Sequence, residues 1–246
     1  FGVGQRRGTR GEGLVQADES ILLVTPIDDS APKARMILPQ VEVIRDILDK
    51  DCFMSVTKEL QLASCYASLK ERPSLVITDS QAFTEVAAAI PRDQLLTSFS
   101  ILFARKKGDL AYFVEGLRRL SEVPACGRIL ILESCKHHRV DDDIGTVKIP
   151  TLFRKKVRPD VTFELLQDVP ERLTDYSFVI NCAGCMTTRN NMMRRIAMFR
   201  NAGLAGTNYG LFLAWAKGLL PRALEPFPLE HALYNSFGGE NDDVRQ

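Results

Sequence analysis

The sequence predicts an α/β protein made of two small units, each with a parallel sheet and flanking helices. Short apolar runs of strand length alternate along the chain with amphipathic stretches of helical period. Strands that alternate with helices at this spacing are joined by right-handed crossovers, which makes the strands of each sheet parallel. The 246 residues suffice for two small cores, and 45% hydrophobic with 26% charged residues is an ordinary globular composition.

The first unit is predicted to contain four strands with helices between them. The apolar runs are residues 21–27, 52–56, 75–79 and 95–97. Pro39 is suited to the first turn of a helix whose apolar stripe runs to Leu48, and later helices are predicted at 59–70, 81–89, 99–107 and 110–120. Ser80 and Ser98 are predicted N-caps, and Gly108 is predicted to end the helix after Ser98.

The second unit is predicted from a sparser pattern. Strands are expected at 128–132, 177–180 and 204–207, an extended segment at 144–150, and helices at 186–201 and 209–220. These elements predict a linker at 1–20, a first unit at 21–125, a second unit at 126–236 and a loose tail at 237–246. No repeat of fixed period is apparent.

Charge and composition exclude several classes of function. A formal net charge of +1 without a basic stripe argues against a nucleic-acid partner. No apolar run reaches the roughly 20 residues that span a bilayer, so no membrane partner is expected. Six cysteines are too few for a disulfide-rich secreted domain, and a reducing, cytoplasmic location is expected. No GxxxxGK[ST] motif occurs, so this chain is not predicted to hydrolyse nucleotides through a P-loop.

Two clusters of potential metal ligands follow predicted strands. Cys135 and His137 come after the strand at 128–132, and Cys182 and Cys185 come after the strand at 177–180. The carboxyl ends of parallel strands meet at one edge of a sheet, where α/β proteins bind ligands. Soft ligands that converge at this edge indicate a metal site.

Other interpretations of these cysteines are open. Buried cysteine often serves as a small apolar residue, and a CxxC pair also serves as a redox dithiol. Zinc and an iron–sulfur cluster both accept cysteine with histidine or an acid, so spacing does not separate them.

The surroundings of the second cluster suit thiolates. A strand that gives way to a helix at Cys182 and Cys185 would present backbone N–H groups and the positive end of a helix dipole to the sulfurs. Gly184 would let the backbone pass close to a bulky cluster. Three thiolates leave one iron of a cubane for His137, an acid from residues 141–143, or an external ligand.

Six motifs resemble the HydF family of FeFe-hydrogenase maturation factors, over about residues 14–228. They are IDDSAPKARMILPQ (27–40), LVITDSQAF (75–83), TSFSILFARKKGDL (97–110), ESCKHHRVDDDIGTVKIP (133–150), NCAGCM (181–186) and TNYG (207–210). The resemblance implies a dimerisation domain at 21–125 and a domain binding a 4Fe-4S cluster at 126–236. Family members carry an N-terminal GTPase domain that is not expected within these residues, so GTP would act only through that domain.

The resemblance also implies a function, a ligand set and partners. The expected function is a non-enzymatic, homodimeric scaffold that transiently holds a diiron precursor and passes it to apo FeFe-hydrogenase, together with radical-SAM maturases. Cys135, Cys182 and Cys185 match the cluster thiolates and His137 the family's CxH histidine, with Gly184 beside the cluster. Asn181 replaces the usual histidine, which leaves His137, Asp142 or solvent as fourth ligand. A plastid location follows if the source is an alga, and a structural zinc domain is the alternative function.

Overall fold

The fold contains two four-stranded parallel sheets, one in each half of the chain. A computed structural model describes residues 13–26, 36–133, 144–182 and 184–236. The first sheet has the strand order β2-β1-β3-β4 and the second the order β6-β5-β7-β8, and all neighbouring strands are parallel. The strands are β1 (Ser20–Val24), β2 (Phe53–Thr57), β3 (Leu75–Thr78), β4 (Leu96–Ser98), β5 (Arg128–Leu132), β6 (Thr162–Leu166), β7 (Phe178–Asn181) and β8 (Gly206–Asn208).

Helices flank both sheets, which confirms the predicted fold class. In chain order they are α1 (Leu38–Leu48), α2 (Leu62–Ser68), α3 (Phe83–Ala89), α4 (Phe99–Lys107), α5 (Leu110–Arg118), α6 (Ile149–Lys156), α7 (Arg189–Asn201), α8 (Tyr209–Ala216) and α9 (Pro228–Ser236). Within the described ranges, no helix combines the length and the apolar character needed to cross a membrane.

The predicted caps of the first unit are partly right. The Ser98 hydroxyl accepts a hydrogen bond from the Ile101 amide at 3.4 Å, and Gly108 follows the last residue of α4, as predicted. Ser80 is not an N-cap, because α3 begins only at Phe83. Its buried hydroxyl lies instead 3.3 Å from that of Ser98 and 3.1 Å from that of Ser100. The Ser80 side chain therefore makes a tertiary contact and does not cap a helix.

Two features of the second unit differ from the prediction. Residues 144–150 are not extended: a π-helical turn, Ile144–Lys148, leads into α6. β-branched residues suggest a strand here, but Ile149 and Phe153, one helical turn apart, are both fully buried. Strand β6 was not predicted, since its half-buried residues lack a continuous apolar run.

The bounds of two helices in the second unit also differ from the predicted ones. Helix α7 begins at Arg189 rather than at 186, and α8 ends at Ala216 rather than at 220. Gly218 has a φ of +69°, the left-handed conformation that commonly closes a helix. Helix α9 was not predicted.

The two units repeat one design. Both sheets have the same strand order, and in both the last strand runs directly into a helix whose N-cap is the final strand residue, Ser98 or Asn208. The matching sequences, TSFSILFA and TNYGLFLA, begin at Thr97 and Thr207, and both threonines are fully buried. The sequence therefore does contain a repeat, one of structural units rather than of fixed period.

The units pack together through the first turns of α4 and α8. A Cβ atom on Gly210 would lie 2.3 Å from the Ser100 Cβ, so glycine is required for this approach. The Asn208 amide donates to the Ser100 carbonyl at 3.1 Å. Farther along the interface, the Arg222 guanidinium donates to the carbonyls of Ala87 and Pro91 at 2.7 and 2.8 Å. Burial lowers the pKa of Arg222.

Helix α5 packs on the second sheet, although the sequence analysis assigns its residues to the first unit. The Tyr112 hydroxyl donates to the Leu204 carbonyl at 2.8 Å, and burial raises the pKa of this phenol. A Cβ atom on Gly116 would lie 1.9 Å from the Gly206 carbonyl oxygen. Only Gly108 and Asp109 separate α5 from α4.

We expect Gly116→Ala to lower the free energy of unfolding by about 3 kcal/mol, because the added methyl group must push α5 away from strand β8. Thermal and urea unfolding measure the loss. Glu115→Ala, at an exposed position of the same helix, is the control and should change stability by about 0.5 kcal/mol or less. Equal stability of the two variants would contradict the close packing of α5 on β8.

Candidate metal centre at the edge of the second sheet

Two buried thiols lie at the carboxyl edge of the second sheet. Strand β7 ends at Asn181, and Cys182 and Cys185 follow with side chains that are 6% and 8% exposed. The Cys182 amide donates to the carbonyl of Leu132, the last residue of β5, at 2.8 Å. The edge at which the sequence predicts convergence is therefore formed, and the ends of β5 and β7 lie side by side.

Three of the predicted ligands fall outside the described residues. Cys135, His137 and Asp142 belong to the segment 134–143, so their position relative to Cys182 and Cys185 stays a prediction. In the part of the chain that the structure describes, no group of three histidine, cysteine or acidic side chains is placed to hold a metal ion. The described half of the site consists of a thiol pair.

The loop between the thiols depends on Gly184. Its φ of +71° lies in the left-handed region, and its carbonyl accepts a hydrogen bond from the Thr187 amide at 2.9 Å. A Cβ atom at this position would lie 2.4 Å from the Met192 Cε. Gly184 thus permits the backbone conformation that leads into Cys185.

Asn181, at the position of the expected histidine, is fully buried. Its amide nitrogen donates to the Cys182 carbonyl at 2.6 Å and lies 3.4 Å from the Met192 sulfur. Its carbonyl oxygen is buried and has no hydrogen-bond partner among the described residues. The side chain therefore holds the start of the segment between β7 and α7 (residues 182–188), which we call the thiol loop.

The predicted help from a helix dipole is smaller than expected. Helix α7 begins at Arg189, and the Thr188 hydroxyl caps it by accepting from the Asn191 amide at 3.3 Å. Cys185 precedes this cap by three residues, whereas the dipole effect is confined to the first turn. The expectation that the helix starts at the thiols was wrong.

Glu133 is a candidate ligand that the sequence analysis did not single out. It follows β5 directly, and its amide donates to the Leu166 carbonyl at 2.9 Å. Its Oε2 atom and the Tyr209 hydroxyl are both buried and approach the same glycine, 2.9 and 2.6 Å from a Cβ atom built on Gly145. An acidic residue directly after a strand that ends beside β7 was the signal that could have revealed it.

A cavity of about 220 Å³ opens beside the thiol loop. It is bordered by Met186 and Thr187 of the loop, by polar and basic residues of α7, and by two residues that follow β6. The lining residues outside the loop are Gln167, Asp168, Asn191, Arg194 and Arg195. Arg195 is 9% exposed and donates to the Gln167 carbonyl at 3.3 Å.

Two cysteines away from the edge have packing roles. Cys52 is buried, donates to the Gln16 carbonyl at 2.9 Å, and has its pKa raised by burial. Cys65 is half-buried in α2 and packs against the core.

Comparison with known families assigns both halves of the chain. Residues 11–108 match the hydrogen maturase F dimerization domain, and residues 111–226 match the hydrogen maturase F tetramerization domain. The boundary between the matches falls at the junction of α4 and α5. The fold is thus that of a self-associating α/β maturation protein.

The chain belongs to the hydrogen maturase F (HydF) family, and its role lies in hydrogenase maturation. A search of curated proteins returned no match.

Solved structures resemble the chain only remotely. An NtrC family transcriptional regulator from Clostridium acetobutylicum is 9% identical with a TM-score of 0.25, over 84% of this chain and 98% of that one. A 5,10-methylenetetrahydrofolate dehydrogenase from the silkworm Bombyx mori is 11% identical with a TM-score of 0.28, over 90% of each chain. Likenesses of this size carry no argument about function.

We expect Gly184→Ala to lower stability by about 1–2 kcal/mol, because alanine is strained at positive φ and its methyl group meets Met192. Thermal unfolding measures this loss. The same substitution in a Met192→Ala background should cost about 1 kcal/mol less, since the steric contact is gone while the backbone strain persists. An identical cost in both backgrounds would contradict the contact with Met192.

Proposed function

We propose that this chain is a cluster-binding scaffold for hydrogenase maturation. The observation that carries the proposal is the pair of buried thiols, Cys182 and Cys185, held at the carboxyl edge of a parallel sheet in a chain of the HydF family. A packing role explains one buried cysteine well, but not two around a turn that only glycine permits.

The described residues fit an iron–sulfur cluster. Cys182 and Cys185 offer soft thiolate ligands, Gly184 leaves space without a Cβ atom, and Cys135 would supply the third thiolate. When bound, the cluster would supply an iron site with no protein thiolate, at which an exchangeable ligand binds. Asn181 and Met192 hold the loop in place, while the nine-tenths burial of both thiols excludes water.

The fourth ligand comes from a set that now includes Glu133. His137 and Asp142 are the candidates from the sequence, with solvent as the alternative. Glu133 directly follows strand β5, and its Oε2 atom lies near Gly145 and Tyr209. A weak or exchangeable ligand at this position suits a protein that passes its cargo on.

Transfer of the diiron precursor would take place at the same edge. Met186 is 66% exposed directly after Cys185, and the neighbouring cavity provides space for a small cargo. We therefore infer that apo FeFe-hydrogenase and the radical-SAM maturases approach the sheet at this edge, where Met186 gives an apolar contact.

We expect Cys135→Ser, Cys182→Ser and Cys185→Ser to fold but to lose most of their iron and acid-labile sulfide after anaerobic reconstitution, because each removes a thiolate. Visible absorption, and EPR after reduction with dithionite, measure the bound cluster. Cys65→Ser is the matched control and should retain the wild-type content.

Two results would overturn the cluster assignment. The first is wild-type iron content in the three edge variants. The second is a colourless wild-type protein with stoichiometric zinc that unfolds when zinc is chelated, which would establish the structural zinc domain instead.

Self-association is expected to use the outer side of strand β2, which is an edge strand of the first sheet among the strands that the structure describes. The Phe53 amide donates to the carbonyl of Glu19, the residue before β1, and the Thr57 carbonyl accepts from the Thr25 amide. Because alternate residues of a strand direct their backbone groups to opposite sides, the N–H groups of Met54 and Val56 point away from β1. Apolar side chains surround this edge, with Phe53 58% and Val56 49% exposed. An unpaired, apolar strand edge is a surface that a second copy can cover.

We expect Val56→Pro to weaken the dimer, because proline removes an outward N–H group without breaking a bond to β1. Light scattering across a concentration series gives the mass, and circular dichroism confirms the fold. Val56→Thr keeps the N–H group and should associate as the wild type does. A folded Val56→Pro variant with undiminished dimer affinity would exclude pairing through this edge.

A further inference from the structure

The thiol loop of the second unit is held by the last turn of a helix from the first unit. The Lys107 Nζ donates to the Cys185 carbonyl oxygen at 2.8 Å. Four residues later, Arg189 donates to the Lys106 carbonyl at 2.8 Å. The stretch from Cys185 to the start of α7 is therefore attached to the C-terminal end of α4 at both its ends.

Lys107 is well ordered for this contact by its own surroundings. Its side chain is 12% exposed, its Nζ lies 4.7 Å from the centre of the Phe103 ring, and its ion pair with Glu42 is 3.2 Å long. The ammonium group thus has a fixed direction, and its remaining donor is directed at the thiol loop. A positive charge this poorly exposed is screened less than a surface charge.

Lys106, its neighbour, makes a different set of contacts. Its Nζ pairs with Asp46 at 2.5 Å and with Glu42 at 3.4 Å, both on α1. It contributes a backbone carbonyl to Arg189, but its charge is directed at α1. The ammonium group of Lys107 therefore contacts the thiol loop, whereas that of Lys106 joins α4 to α1.

We propose that Lys107 is a positioning residue for the metal centre. Its ammonium group fixes the Cys185 carbonyl, which holds the turn around Gly184, and it places one positive charge next to the backbone of Cys185. A charge there stabilises the more negative, reduced form of a bound cluster relative to the oxidised form. This electrostatic part of the inference rests on the proposed cluster; the positioning part does not.

The test compares Lys107→Met, Lys107→Arg and Lys106→Met in the full chain. Without metal, amide hydrogen exchange of Thr187, whose N–H is bonded to Gly184, should be about tenfold faster in Lys107→Met, since a hydrogen bond from a charged donor is lost. Exchange at Ile196, in the core of α7, should not change. Lys107→Arg should restore slow exchange, and Lys106→Met should leave it unchanged.

After reconstitution, the same variants are titrated against redox dyes. At the wild-type midpoint potential, the ratio of reduced to oxidised cluster should fall by about tenfold in Lys107→Met, since lost positive charge disfavours reduction. Iron content should remain that of the wild type. The ratio should stay within about threefold of the wild type in Lys107→Arg and Lys106→Met.

Each part has its own contrary outcome. Equally faster amide exchange at Thr187 and Ile196 in Lys107→Met would show that Lys107 stabilises the fold in general. That result would overturn the proposed positioning role. Equal redox ratios for Lys107→Met and Lys106→Met would overturn the electrostatic role. A wild-type protein that takes up no iron contradicts the proposed function and the electrostatic role together, while exchange at Thr187 still decides whether Lys107 positions the loop.

Discussion

The contact between the first turns of α4 and α8 determines which part of the first unit lies beside the thiol loop. Each of these helices starts directly at the end of a strand, so their first turns lie at the carboxyl edges of the two sheets. The absence of a side chain on Gly210 lets them touch at Ser100. With its first turn fixed there, the nine-residue α4 extends to the Cys185 segment, and its last turn meets the loop. A larger residue at 210 would displace that last turn too.

Most of the architecture could be predicted from local patterns, and the errors have a common cause. The sheets, their parallel strands and the Ser98 cap follow from apolar runs and capping residues, which are local signals. Ser80, the segment 144–150 and strand β6 were assigned wrongly or missed because distant partners decide their structure. Ser80 bonds to hydroxyl groups of the β4–α4 turn, and Phe153 packs against Phe163 and Phe212. Ser100 lies 20 residues from Ser80, and Phe212 lies 59 residues from Phe153, so neither contact is visible within a window of a dozen residues.

The location of the candidate site could be predicted from the sequence, but the contacts that support it could not. Cysteines placed directly after apolar runs marked the edge of the sheet, and the structure brings the ends of β5 and β7 together there. The contact of Asn181 with Met192 spans 11 residues of sequence, and the contact of Lys107 with Cys185 spans 78. Such contacts have no sequence signature, because the residue type alone does not show whether an asparagine is buried or a lysine is ordered.

The two-residue connection between α4 and α5 has a consequence for how cargo could leave this protein. Gly108 and Asp109 are too short a tether for one unit to swing away from the other, and α5 is fixed to β8 by a contact that tolerates no methyl group. The sheet edge that carries Cys182 and Cys185 is therefore expected to keep its position relative to α4. In the proposed transfer, the receiving protein would have to bring its own acceptor group into contact range. The surface of that protein would have to accommodate α4 and the thiol loop at once, so recognition and transfer would occur in a single docking event.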